Sequence, residues 1–294
     1  MKQIVHKGLL CLVITIVSLV SCKKAIEQPG SSPNVIVQHD SSSHVINTTT
    51  NPYPVTPVQE CIYSPDYGDS IVYPQPSASF YYVYPQNTRG IQGTYLSWPQ
   101  GLVLDSNTGA INLTLSQTGQ RYAVAFVQNG TRDTCISQLI VAGTAYMDSI
   151  YSLAQSQNTA PPYFNANPAA PSPCQNNQND QGCQFDYTQF AKRQGIHVDK
   201  QTGAIALQQT VRRAFGKNPV NGATVNTVIF YRLNDNSNFA LQYIQLRLIY
   251  YNTKADIPAS LVATIASRQA NAMNNMLISQ GPSARPPLIV IVRN

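Results

Sequence analysis

GLVLDSNTGAINL (Gly101 to Leu113) and GIHVDKQTGAIAL (Gly195 to Leu207) agree at seven of thirteen positions, and this repeat decides the fold. The shared residues are Gly101/Gly195, Asp105/Asp199, Thr108/Thr202, Gly109/Gly203, Ala110/Ala204, Ile111/Ile205 and Leu113/Leu207. Asp-x-x-Thr-Gly-x-Ile has a plain physical reading. A strand ends at the Asp, whose carboxylate accepts backbone N–H groups two or three residues on. The Thr hydroxyl is a second local acceptor, the Gly takes a positive φ, and the Ile re-enters the core. Such a turn needs no ligand.

Upstream, DSIVY (Asp69 to Tyr73) has a counterpart in DSIY (Asp148 to Tyr151). The offset between copies grows from 79 to 94 residues across these anchors, so the second copy carries fifteen more, a Cys174 to Cys183 loop among them. Alternating strands follow in both. Ile244, Leu246, Leu248 and Tyr250 share one face of YIQLRLIYY, and Tyr122, Val124 and Phe126 share one face in the first copy. The pattern is a tandem β architecture, mainly β in class.

SWPQGLVLDSNTGAINLTLSQTGQRYAVAF (Ser97 to Phe126) resembles the immunoglobulin-like, cadherin-like repeats of bacterial (Bacteroidota-like) envelope lipoproteins, whose signature runs roughly LP-x-GL-x-x-D-x-x-TG-x-I-x-G-x-P. The second copy keeps GIHVDKQTGAI, and both copies have NLT or ALQ where the signature has Gly-x-Pro. The resemblance covers roughly residues 59 to 252. It implies two immunoglobulin-like β-sandwich domains, at 59–144 and 145–252, each burying alternate residues between two sheets. At 253–294, Leu261, Ile265, Met273, Met276 and Leu277 fall near one helical face and LIVIVRN reads as a strand. This tail is expected to be a helix packed on the second domain, leading to an edge strand.

The N-terminus indicates the address. Lys2 and Lys7 precede an apolar run of about twelve residues, Leu9 to Val20, too short for a bilayer span of roughly 20. LVSC (Leu19 to Cys22) resembles the lipobox of bacterial lipoproteins, in which the Cys thiol takes the lipid, palmitate included, and becomes the mature N-terminus. Residues 1–21 are therefore expected to be a signal peptide and Cys22 the membrane anchor, in the outer membrane on either face. Residues 22–58 are rich in Ser, Thr, Pro and Asn and read as a disordered tether.

Cys11 falls in the leader and Cys22 takes lipid, leaving Cys61, Cys135, Cys174 and Cys183. No CxxC or His-containing metal spacing occurs, and disulfides suit an exported protein. Cys174 and Cys183 flank a short polar loop and are expected to pair, which assigns Cys61 to Cys135.

Charged residues are only 11% of the chain, against roughly 25% in an average domain, which argues against a Lys-rich nucleic-acid binder. The cation excess sits late: residues 145–294 hold 12 bases and 6 acids, residues 59–144 hold 3 and 5. Such a bias favours anionic glycans or head groups, or is simply solvated surface. His197 is the one His outside the leader and tether, no GxSxG occurs, and the two Glu (Glu27 and Glu60) lie in the tether and just past its end. Catalysis is therefore not expected, and no cofactor is. LNDNSN (Leu233 to Asn238) could supply calcium ligands, but a hairpin turn at Asn234 to Asn236 explains it without a metal.

Aromatics are the remaining chemistry. FYYVY (Phe80 to Tyr84) and Trp98 could form a stacking platform for sugar rings, with Tyr81, Tyr82, Tyr84 and Trp98 as the candidate contacts. The expected function is a lipid-anchored, non-catalytic binding or adhesion module for a glycan or another envelope protein. A structural subunit of an envelope complex is the alternative, and a hydrolase a more distant one.

Overall fold

The computed structural model describes residues 36–37, 45–46, 63–88, 90–131, 134–174, 182–278 and 286–294, without the side chains of 36–37, 45–46 and 271–278. The leader, Cys22, most of the tether and Cys61 lie outside the described residues. Within the tether, β1 (Ile36–Val37) and β2 (Val45–Ile46) form a two-residue antiparallel ladder. These are two of its β-branched runs, the residues with most to gain from a strand.

Each Asp-x-x-Thr-Gly copy forms the turn its residues imply. Asp105 Oδ1 accepts the N–H groups of Asn107 and Thr108 at 2.9 and 2.8 Å. Asp199 Oδ1 accepts those of Gln201 and Thr202 at 3.0 and 2.7 Å. Thr108 and Thr202 Oγ1 accept from Ala110 and Ala204, both at 3.2 Å. Gly109 and Gly203 take φ of +71° and +75°. Ile111 and Ile205 then enter their cores fully buried.

The first repeat contains β3 (Ile71–Val72), β4 (Tyr82–Val83), β5 (Gly93–Trp98), β6 (Ile111–Asn112), β7 (Gln120–Gln128) and β8 (Thr134–Val141). Its main sheet runs β3-β8-β7-β5, with β3 parallel to β8 and the other pairs antiparallel, while β4 and β6 form a separate ladder. Tyr122, Val124 and Phe126 enter a core with Tyr95, Leu102 and Leu139. The opposite face is also buried, with Trp98 packed among Ala123, Ala125 and Ile136.

The second repeat runs β9 (Thr144–Tyr146), β10 (Ser149–Ser152), β11 (Thr159–Ala160), β12 (Pro162–Phe164), β13 (Gln184–Phe185), α1 (Phe190–Arg193), β14 (Ile205–Ala206), α2 (Leu207–Ala214), β15 (Ala223–Arg232) and β16 (Gln242–Tyr251). After it come α3 (Ala259–Ile278) and β17 (Leu288–Val292). Ile244, Leu246, Leu248 and Tyr250 are buried together, as their alternation requires. The five-stranded sheet runs β10-β17-β16-β15-β13.

Comparison of the two sheets corrects one expectation. In the first repeat β3 pairs directly with β8; in the second, β17 stands between their counterparts β10 and β16, parallel to both. The terminal strand is therefore interior, not an edge. LIVIV is apolar at every position and all five residues are buried, the signature of a strand covered on both faces. β16, α3 and β17 form a parallel crossover, with Leu261 and Ile265 of α3 packed on Ile249, Val290 and Val292. The side chains of Met273, Met276 and Leu277 lie outside the described residues. α3 also lies against β7, so the tail touches both repeats rather than the second alone. It is long, but no helix among the described residues is long and apolar enough to cross a membrane.

A buried ion pair fastens this crossover. Asp148, just before β10, meets Arg268 of α3 at 3.1 Å, and its Oδ1 accepts the Leu288 N–H at 2.6 Å. Arg268 also donates to the Pro286 carbonyl at 2.6 Å. The repeat-equivalent Asp69 is exposed and, among the described residues, accepts only the adjacent Ser70 N–H, at 3.1 Å.

The repeats meet at Tyr231. Its hydroxyl shares a 2.6 Å hydrogen bond with Thr118 Oγ1, accepts the Thr144 N–H at 3.2 Å and faces Gln242 Oε1 at 3.1 Å. A Cβ on Gly143 would fall 2.5 Å from Gln242 Oε1 and 2.7 Å from that hydroxyl, so only glycine fits the seam.

Candidate binding face

The segment Phe80 to Tyr84 alternates. Tyr81 and Val83 pack against the first core, whereas Phe80, Tyr82 and Tyr84 are 53%, 43% and 55% exposed. The Tyr82 and Tyr84 ring centroids are 6.5 Å apart, close to two strand residues of about 3.3 Å each. Their planes are tilted by 33°, so the row is exposed but not coplanar. β6 holds it in place: Tyr82 pairs with Asn112 and Val83 with Ile111, and Thr114 Oγ1 accepts the Tyr81 N–H at 2.9 Å.

Two of the four aromatic contacts expected from the sequence do not join this row. Tyr81 points inward by alternation. Trp98 is 5% exposed, because β5 sends Tyr95 to one core and Trp98, with Leu96, to the other. The sequence reading allowed the sheet one covered face, and it has two. Phe80, by contrast, belongs to the row, and its i, i+2 spacing to Tyr82 was the available signal.

The chain entering β4 also walls a groove of about 530 Å³ between the repeats. Pro74, Gln75, Ser77 and Ser79 line one side and Arg232, Asn238 and Tyr243 the other. Gln75 ties the sides together: its Nε2 donates to the Asn236 carbonyl at 2.7 Å and its Oε1 accepts from Asn238 Nδ2 at 2.6 Å. Hydroxyls and amides beside an aromatic row can satisfy the ring hydroxyls and the C–H faces of a sugar.

The β15–β16 connection is longer than a tight hairpin, since Tyr231 pairs with Gln242. Asp235 Oδ1 accepts the Ser237 N–H at 2.9 Å, and Asn238 and Phe239 both take positive φ. No group of three or more His, Cys, Asp or Glu able to hold a metal occurs among the described residues. His197 is exposed and lines an open concavity of about 440 Å³ with Asp186 and Asp199, whose carboxylates both accept backbone N–H groups. The repeat acids serve their turns. The Thr108 and then the Asn107 N–H hold the Asp105 carboxyl below its ordinary pKa. Burial pushes the Asp199 carboxyl up, but hydrogen bonds from Thr202 and Gln201 outweigh it and the net shift is downward.

Cys174 and Cys183 are joined, with Cα atoms 5.4 Å apart. Cys135 is also disulfide-bonded. Its expected partner Cys61 lies outside the described residues, as does the expected lipid site Cys22.

No family model matches the chain, and no curated protein matches it. Among solved structures, human protocadherin-24 EC1-2 is similar at 8% identity and a TM-score of 0.21, over 63% of this chain and 94% of that one. The chain is thus mainly β with a weak cadherin-like structural neighbour, and a likeness of that size carries no functional argument.

Proposed function

We propose that the protein is a non-catalytic binding or adhesion module of the bacterial cell envelope, built as two tandem immunoglobulin-like units and carried on a lipid at Cys22. The outward row Phe80, Tyr82 and Tyr84 carries this reading. Three large exposed aromatics at alternate positions are costly to leave in water and well suited to stack on sugar faces. The polar groove that the same segment enters supplies partners for ring hydroxyls. Planes turned by 33° favour a chain whose successive sugars also turn. The charged start, short apolar run and LVSC support the anchor.

Binding of neutral glycans by the full chain, purified in detergent, tests the function on a glycan array. Tyr82→Ala and Tyr84→Ala should each weaken a hit by roughly tenfold, the worth of one stacked ring. Binding indifferent to both substitutions, or turnover of any bound glycan, would overturn the reading. Cys22→Ala should leave an unprocessed precursor that takes up no palmitate; normal labelling removes the anchor from the proposal.

A further inference from the structure

Three of the twelve bases at 145–294 gather at one concavity of the second repeat. α1 and α2 have no counterpart among the described residues of the first repeat, where β6 runs from the turn into Leu113 and Thr114 without a helix. Lys192 of α1, Arg212 and Arg213 of α2, and His197 between them line a concavity of about 600 Å³. No acid lines it. The nearby acids are already engaged. Asp186 accepts the Ala191 and Lys192 N–H groups at 3.0 and 2.9 Å, and Asp199 is occupied by its turn. The side chains of Lys192, Arg212 and Arg213, by contrast, make no hydrogen bond or ion pair among the described residues. In the last turn of their helices they offset the dipole, which leaves their charged heads free to reach a ligand.

We propose that this concavity binds an anionic saccharide, its carboxylate or phosphate groups held by Lys192, Arg212 and Arg213. Guanidinium forks match both groups geometrically. A recess suits a discrete anionic substituent, whereas a lipid head-group plane is met by protruding cations. Three cations are few for a nucleic-acid backbone, which is tracked through many phosphates. The site shares no residue with the aromatic row, so the inference stands apart from the function proposed above.

Titration of the full chain in detergent with hexagalacturonate, phosphopentamannose and maltohexaose tests it. The first two distinguish carboxylate from phosphate, and the third is neutral. At least one anionic sugar should bind, weaken by roughly tenfold on raising salt from about 50 to 500 mM, and resist competition by maltohexaose. The triple substitution Lys192→Gln, Arg212→Gln, Arg213→Gln should abolish that binding while leaving the melting temperature within a few degrees. Full affinity in the triple variant, or no anionic sugar bound by the parent, overturns the site. Binding of phosphatidylglycerol vesicles that neither anionic sugar displaces would overturn it in favour of a lipid surface. Anionic binding lost with Tyr82→Ala but kept in the triple variant would move the ligand to the aromatic row, sinking this inference and leaving the function intact.

Discussion

Tyr146 donates its hydroxyl to the carbonyl of Gly203 at 2.5 Å, 57 residues away, and Tyr67 does the same to Gly109 at 2.7 Å. Each repeat thus has a buried tyrosine, two residues before its Asp-Ser-Ile, pinning the glycine of its Asp-x-x-Thr-Gly turn. The two anchors of the sequence repeat are joined in space by this one bond. It also extends the repeat upstream to Tyr67 and Tyr146.

Tyr67→Phe and Tyr146→Phe should each cost about 1 to 3 kcal/mol, because a buried carbonyl loses its donor. Burial raises both phenols well above the ordinary tyrosine value. A pKa raised on folding means stability that is full below the unfolded value of about 10 and falls as pH rises past it. Melting temperatures from pH 7 to 11 should drop beyond pH 10, and less steeply in either variant. A flat profile would refute the tyrosines' part.

Gly109→Val and Gly203→Val should each lower stability by roughly 2 to 4 kcal/mol, combining an unfavourable φ with overpacking. A Cβ would lie 2.6 Å from the Tyr95 ring at Gly109 and 2.8 Å from Phe185 at Gly203. Urea unfolding measures this; an unchanged midpoint would show that the turns are not structural.

Asp148 and Asp69 occupy the same repeat position, yet only Asp148 is buried against Arg268. Asp148→Ala should cost about 3 to 5 kcal/mol, since it strands a cation and the Leu288 N–H. Asp69→Ala should stay within about 0.5 kcal/mol. Equal effects in chemical denaturation would contradict the clamp.

Trp98→Ala should act on stability, by roughly 3 to 5 kcal/mol. Tyr82→Ala should act on glycan binding and hardly on stability. Calorimetry alongside binding separates the two, and a Trp98 variant that melts normally but binds poorly would restore Trp98 to the site.

Reducing Cys174–Cys183 closes a question of loop entropy. A separation of nine residues should stabilise by about 2.5 kcal/mol. Cys174→Ser/Cys183→Ser should show that loss in urea, and no loss would mean the loop is held without the bond.

Local chemistry made the turns legible from the sequence. The Asp and Thr side-chain bonds that shape Asp-x-x-Thr-Gly-x-Ile span two or three residues, so they form whatever the distant chain does. The long-range tyrosine bond only pins a turn already made. Strand alternation likewise announced the buried faces of Tyr122, Val124, Phe126 and Ile244 to Tyr250, and the polar loop between Cys174 and Cys183 announced their bond. What alternation cannot say is how many faces of a sheet are covered. That depends on α3 and on the second core, and it decided that Trp98 is buried while Phe80, Tyr82 and Tyr84 are not. The place of LIVIV was decided the same way: its composition said strand, but only the crossover through α3 put it between β10 and β16. Residues far apart in sequence, Asp148 with Arg268 and Lys192 with Arg212, acquired their partners or their freedom from tertiary packing, because charge interactions act through space and leave no periodic trace along the chain.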